Sequence, residues 1–417
     1  MSKELSASKQ TSTIYKWWIG ILLALFLIGG YYIFERLFVG LTTTNLSSIT
    51  PWGAWIAFYI FFVGLSAGSF LLSSLIFVFD MKEFDKLGKM ALFTAIISMI
   101  VALTFVLMDL GRPERAFSAL FHWNVTSILA WEMRFYVVYI TLLVVELYIA
   151  MRGDLVNLRG HDSIKGKVAR LLTFKKSEVT EETEKRDNRW LKRLGIIGIP
   201  IAILGVHGGT GAIFAVVNAR ATWNSGLFPI IFVVSAVVSG TALLMAMYII
   251  KQRVTKQPVD LPMISNLAKI MIAFLLIDLG LQFYEYLVGV YSLEDNQLQG
   301  LATMVGSAYS WSFWGVQMFL GAVVPIFLMF WKRTKENINM ILLSSILVII
   351  GIIAVRFNIV VPAQIVPLFE GFPAGDYFPT FKEWMVSIGI GSMGLLLYTA
   401  GEYLLPIDDG IEGTKGT

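Results

Sequence analysis

Ten stretches of this chain are each apolar over about 20 residues or more, the length a helix needs to cross the hydrocarbon core of a bilayer. They run over roughly 17–38, 53–79, 88–110, 127–150, 194–217, 226–251, 264–291, 309–331, 338–362 and 382–404. Several exceed the minimum, which leaves room for tilt without fixing an angle. Strict period-two alternation is missing, which speaks against a membrane β-barrel. Composition agrees: 56% of the 417 residues are hydrophobic and 15% charged, against about 45–50% and about 25% in soluble domains. The expected fold class is therefore all-α integral membrane, with about ten transmembrane helices.

The basic residues orient the spans. With the N-terminus inside, the segments 1–16, 80–89, 151–193, 251–263, 332–337 and 405–417 hold 25 of the 33 lysines and arginines, and the opposite loops and helix ends hold 7. Cytoplasmic loops carry such an excess, so both termini are expected in the cytoplasm. Lys3, Lys9 and Lys16 precede a first span that lacks a small-residue cleavage site, which reads as an uncleaved helix rather than a signal peptide. The chain then divides into a cytoplasmic tail (1–16), spans one to four (17–150), a charged cytoplasmic loop (151–193), spans five to ten (194–404) and a second tail (405–417) within a single membrane domain, 1–417. The loop, which contains KKSEVTEETEKRDNRW, reads as a solvated linker or as a docking surface.

Some chemistry is excluded. There is no cysteine, hence no disulfide, no thiol nucleophile and no iron–sulfur cluster held by this chain alone. Of three histidines, His122 and His161 fall outside the spans, so only His207 lies at depth. A membrane-embedded haem with two axial histidines is not expected. No metal-ligand spacing and no nucleotide or nucleic-acid motif stands in a loop that could use it. Electrons, if this chain serves electron transfer, must reach or leave a redox centre on another subunit.

Ionisable groups inside a membrane cost at least about 2.5–3.5 kcal/mol each on insertion scales, so their presence nominates a site. Asp109, Arg112, Glu114 and Arg115 lie in MDLGRPER, where the third span ends, and Glu132 and Arg134 lie two turns into the fourth. Together they read as a charge network under a small-molecule pocket or as a salt-bridge clamp. His207 stands in GVHGGTG with Gly205 and Gly209 at GxxxG spacing, after Pro200. Close helix packing and a kinked or unwound helix are expected there, and the imidazole suits proton transfer or a packed hydrogen bond. Asp278 and Glu285, seven residues apart, share one face of the seventh span. They read as a proton stripe or as partners of Arg220 or Arg356. Arg356 and Asn358 near the outer end of the ninth span, Arg220, Trp223 and Asn224 after the fifth, and Tyr377 and Glu383 before the tenth complete the polar set.

The stretches PWGAWIAFYIFFVGLSAGSFLLSS (51–74), DLGRPERAF (109–117), TSILAWE (126–132), the run from GIPIAILGVHGGTG to SGTALL (198–244), RFN (356–358) and YFPTFKEW (377–384) resemble the NrfD/PsrC family, the polysulfide reductase membrane subunits, and within it the ten-helix HybB/DsrP-like branch. Each motif is weak alone; their order and spacing are specific. The resemblance implies two packed four-helix bundles with the first and last spans outside them. It implies a quinone or quinol (menaquinone or ubiquinone) as substrate at the outer side of the first bundle. It also implies an outer-face ferredoxin-like iron–sulfur subunit that passes electrons to a catalytic reductase, dehydrogenase or hydrogenase subunit. On that basis Glu132, His207 and Asp109 are the expected proton-handling residues. Arg112, Arg220, Trp223, Trp52 and Ser66 are expected around the headgroup, and Asp278, Glu285 and Arg356 in a proton path of the second bundle. The expected protein is a quinone-reactive subunit of a respiratory oxidoreductase complex in a prokaryotic cell membrane, inactive alone. A quinone-independent proton conduit or anchor, and more distantly a secondary transporter, stand as alternatives.

Overall fold

The computed structural model describes residues 2–407 except 123, 174–177, 293, 308 and 332, with side chains from residue 13 onward. The side chains of Lys3 and Lys9, and all but the first three residues of the 405–417 tail, lie outside the described residues.

Ten helices are long and apolar enough to cross a membrane: Thr13–Val39, Ala54–Phe77, Lys82–Asp109, Ile128–Leu158, Glu181–Ala215, Phe228–Thr255, Leu261–Tyr291, Trp311–Phe330, Ile338–Ile365 and Phe381–Leu404, numbered here spans 1 to 10. No strand occurs among the described residues. All ten expected spans are present. Spans 4 and 5 reach well past their apolar stretches, into the segment expected to be a loop. Span 5 starts at Glu181, where Thr180 and Thr183 form a reciprocal cap. Glu181, Glu182 and Glu184 fill its first turn, where the helix dipole favours negative charge. The Arg152–Asp187 ion pair, 2.5 Å, ties the two extensions together, and a short helix, Ile164–Leu172, lies between them.

Spans 2–5 and 6–9 form two bundles. In lipid, helices gain little from hiding apolar surface against each other, so close approach at small residues governs packing. The bundles meet where span 2 crosses span 6 at Gly68 and Gly240. A Cβ on Gly68 would run into the Ala236 carbonyl oxygen, and one on Gly240 would stand 2.5 Å from the Gly68 carbonyl carbon. Spans 1 and 10 pair outside the bundles through Gly29 and Gly389, a Trp18–Thr399 hydrogen bond of 3.2 Å and a Lys382–Glu35 ion pair. Span 10 lies along span 3, with Gly394 on Val101 and Gly401 on Phe93.

Two spans depart from α-helical winding. Span 5 runs as a π-helix over Ile201–His207, following Pro200, and span 8 does so over Trp311–Val323. The break expected from Pro200 and the glycines thus takes the form of wider turns, which are frequent at functional sites.

Candidate proton and headgroup site

The first turn of span 4 fixes Glu132. Ser127 caps the helix by accepting from the Ala130 amide, which places Glu132 one turn inside and turned into the bundle, 1% exposed. Three hydroxyls from three helices converge on its carboxylate. Tyr136 donates to Oε1 at 2.6 Å, Tyr59 to Oε2 at 3.1 Å, and Thr210 to Oε1. The Tyr59 and Tyr136 hydroxyls lie 2.5 Å apart. A carboxylate and two phenols in mutual contact make a group that can take or release a proton and re-form its bonds. On the span 4–span 5 seam, Gly209 is only partly buried, and a Cβ there would stand 3.9 Å from Glu132 Cγ. Glycine thus leaves the approach to Glu132 free of a side chain. Gly205, one turn away, sits against the Phe135 ring, so the GxxxG spacing does bring spans 4 and 5 together.

His207 lies eight residues before the end of span 5, about 12 Å along the axis at 1.5 Å per residue. Its Nε2 lies 3.3 Å from Arg356 Nη2. Arginine only donates, so Nε2 is the acceptor and the ring proton sits on Nδ1. Arg356, fully buried, also donates to Ser235 and stacks over Phe232, 4.3 Å from its centroid. Gly64 on span 2 makes room for this pair, since a Cβ there would stand 3.1 Å from His207 Nε2.

Beyond Arg356 the second bundle holds a chain of side-chain amides. Gln282 donates to Asp278 at 2.7 Å, Gln317 to Gln282 at 2.9 Å, and Asn358 to Gln317 at 2.7 Å. Asp278 is 1% exposed and lies within the electrostatic reach of Arg356. Asn358 Oδ1 has no hydrogen-bond partner among the described residues, and Asn358 belongs to the wall of a cleft that also contains Trp223, Glu285, Tyr286 and Gln297. Glu285 accepts from Ser225 at 2.6 Å. Asp278 and Glu285 therefore share a helix face but occupy different surroundings, one in the amide chain and one at the cleft.

The remaining expected residues fall into other places. Asp109 does not join Glu132. It faces Arg36, whose guanidinium caps span 3 by donating to Met108 O at 2.7 Å and Leu110 O at 2.5 Å. Arg112, Glu114 and Arg115 are exposed, and Arg134 donates to the carbonyls of Ala119, Leu120 and Ala130. Arg36 and Arg134 thus bind backbone carbonyls near helix ends and form no hydrogen bond or ion pair with Glu132 among the described residues. A backbone carbonyl freed at a helix end is the nearest strong acceptor for a long basic side chain. Arg220 acts in the same way, donating to Ala363 O at 3.1 Å and Val366 O at 2.7 Å; partial burial lowers its pKa. Trp223 donates to Ile359 O at 2.7 Å and stacks on Trp52 with centroids 5.6 Å apart, while Gln364 exchanges two hydrogen bonds with the Trp52 backbone. Ser66 lies deeper, donating to Ala95 O at 2.7 Å beside the Tyr139 hydroxyl.

Sequence reading missed Tyr59, Tyr136, Thr210, Ser235, Gln282 and Gln317. Two of these carried a signal: Tyr136 and Gln282 each stand four residues after a buried acid, hence on its face. Near the tenth span, Glu383 Oε1 accepts from Tyr377 at 2.5 Å, and Oε2 accepts from the amides of Thr380 and Asn45. Burial, with the neighbouring Glu383 charge, raises the Tyr377 pKa, so its phenol remains a donor.

Ten spans, two bundles and a buried set of acid, phenol, histidine and arginine side chains define a polytopic membrane protein with a polar interior. The chain belongs to the polysulphide reductase NrfD family, whose model matches residues 42–367. It is 37% identical over 397 residues to a selenate reductase subunit of Mesobacillus selenatarsenatis, covering 91% of this chain and 92% of that one. It is 28% identical over 383 residues (87% and 86%) to the Hdr-like menaquinol oxidoreductase integral membrane subunit of Archaeoglobus fulgidus. It is also 23% identical over 401 residues (94% and 91%) to the menaquinone reductase integral membrane subunit of Nitratidesulfovibrio vulgaris.

Proposed function

We propose that this protein is the quinone-reactive membrane subunit of a respiratory oxidoreductase complex, with the headgroup reacting beside Glu132. The observation that carries the reading is the Glu132–Tyr59–Tyr136–Thr210 cluster, a buried acid with three hydroxyls next to the glycine-lined seam between spans 4 and 5. A quinol presents an apolar tail to lipid and a headgroup that needs a few polar, protonatable neighbours. On oxidation, each quinol gives up two electrons and two protons. The electrons pass to an iron–sulfur subunit on the outer face and on to a catalytic subunit. The Glu132 carboxylate takes the protons one at a time, each phenol passing a proton on as it receives one, and releases the first before the second arrives; His207 with Arg356 holds the deeper side of the pocket. Relatives named as menaquinol or menaquinone subunits support menaquinone as substrate, and the basic-residue distribution supports an N-terminus in the cytoplasm of a prokaryotic cell. The test is quinol oxidation by the purified complex. Glu132→Gln and His207→Ala are expected to assemble and lose turnover, and wild-type rates in both would overturn the assignment.

A second reading has its own support. The chain Asp278–Gln282–Gln317–Asn358 is continuous across spans 7, 8 and 9, as a quinone-independent proton conduit would require. A complex that binds no quinone analogue yet conducts protons through this chain would establish that reading instead.

A further inference from the structure

Span 4 carries more proton chemistry than the headgroup site uses. Glu132, Tyr136, Tyr139 and Glu146 follow one another at intervals of four, three and seven residues, which puts all four on one helix face. All four are buried, between 0% and 3% exposed. Glu146 lies fourteen residues past Glu132, about 21 Å further along the axis at 1.5 Å per residue, toward the face that carries the helix Ile164–Leu172. It forms no ion pair among the described residues, and its Oε1 is buried without a hydrogen-bond partner. A carboxyl at that depth balances no cation and fastens no neighbouring helix, so a clamp does not explain its cost. Between Glu146 and the Glu132 cluster stand two polar groups. The Tyr139 hydroxyl bonds the Ser66 carbonyl at 3.1 Å and lies within the field of Glu146. Ser69, one turn beyond Ser66 on span 2, has a buried hydroxyl without a partner among the described residues.

We propose that this face of span 4 is a proton path, with Glu146 as the group that exchanges protons with the side carrying the helix Ile164–Leu172 and with Tyr139 and Tyr136 as relays to Glu132. It is separate from the amide chain of the second bundle and rests on the reading that the headgroup reacts beside Glu132. Each relay hydroxyl takes one proton as it gives one up, so no charge accumulates and no electron moves. Water completes the steps that exceed hydrogen-bond reach, with Ser69 as one of its anchors.

The test uses the whole complex in sealed vesicles, with a pH dye on each side and a quinone analogue as binding probe. Glu146→Gln preserves shape and is expected to slow quinone turnover about 10²-fold or more, the low end of general acid–base effects. Proton exchange on the side of the helix Ile164–Leu172 should fall in step, and the analogue should bind as in wild type. Glu146→Asp should restore part of both rates, and Tyr139→Phe should slow both with the complex intact. Redox-induced infrared difference spectra should lose one carboxyl band in Glu146→Gln. Unchanged turnover and unchanged proton exchange in Glu146→Gln overturn the path. An analogue that fails to bind the wild-type complex overturns the headgroup reading instead, so the two failures are distinguishable.

Discussion

Arg356 on span 9 reaches across to His207 on span 5, and the 3.3 Å contact joins the last helices of the two bundles. Arg356 has no ionised partner within hydrogen-bond distance among the described residues. Arg356 instead spreads its charge over Ser235, the Phe232 ring face and the more distant Asp278. The pair stands between the Glu132 hydroxyl cluster on one side and the amide chain on the other. Its loss should therefore be felt in both.

Arg356→Lys keeps the charge but not the planar guanidinium that stacks on Phe232 while one nitrogen, Nη2, meets both His207 and Ser235. Turnover is expected to fall about tenfold or more, because the two side chains are not interchangeable where several directed bonds meet. Arg356→Met removes the cation that offsets Asp278 and should also destabilise the complex, by about 3–5 kcal/mol if it behaves as other broken buried pairs do. Quinol oxidation rates and thermal unfolding of the purified complex check both.

Glu132→Gln replaces an acceptor of three hydroxyl bonds with an amide that cannot take the proton. A loss of about 10²–10⁴ in turnover is expected, the usual range for a positioned acid or base, with assembly unchanged. Tyr136→Phe leaves the acid and should cost less. Equal losses in the two variants would contradict this ranking; steady-state kinetics decides.

Gly68→Ala drives a methyl into the Ala236 backbone at the crossing of spans 2 and 6. Backbone cannot step aside as a side chain can, so a loss of about 1–3 kcal/mol or more is expected. Gly20, with open space around its Cβ position, serves as the control, and thermal unfolding in detergent should separate the two alanine variants.

Asp260 caps span 7 by accepting from the Met263 amide at 3.3 Å and pairs with Lys86 at 2.7 Å. The hydrogen bond from Lys86 holds its carboxyl below the ordinary Asp value. The folded protein therefore binds fewer protons at this site than the unfolded chain. The stabilisation is present in full above the unfolded pKa of about 3.9 and is lost as pH falls below it through the folded value. Asp260→Ala should cost about 0.5–2 kcal/mol at neutral pH, the usual loss for an N-cap. Unfolding followed from pH 7 to pH 3 should show the variant and wild type converging.

The spans were legible because apolar length is written locally, residue by residue. The extension of span 5 to Glu181 was not, since it depends on a threonine cap and on a partner, Asp187, that Arg152 finds only after folding. The acids at 132, 278 and 383 stood out by type and depth, but their partners did not. Tyr59 and Thr210 come from other helices at separations of 73 and 78 residues from Glu132. The proximity of Arg112 to Glu132 in sequence suggested a shared network, yet Arg112 is exposed and helix-end carbonyls take up Arg36, Arg134 and Arg220. Glu146 escaped notice because its apolar neighbours are those of any span.

The loops on the Glu132 side are fastened to one another. Arg220 holds the 361–366 backbone, Asn45 holds Phe378 O at 2.9 Å, Tyr309 holds Tyr377 O at 2.6 Å, and Glu383 gathers Asn45, Thr380 and Tyr377. A protein that settles on this face meets loops whose conformational entropy was surrendered when the chain folded. Ordering side chains on association otherwise costs about 0.5–1.5 kcal/mol each. Such a surface can support a long-lived complex with a modest contact area, and a donor or acceptor seated on it would keep a fixed separation from the chemistry beneath.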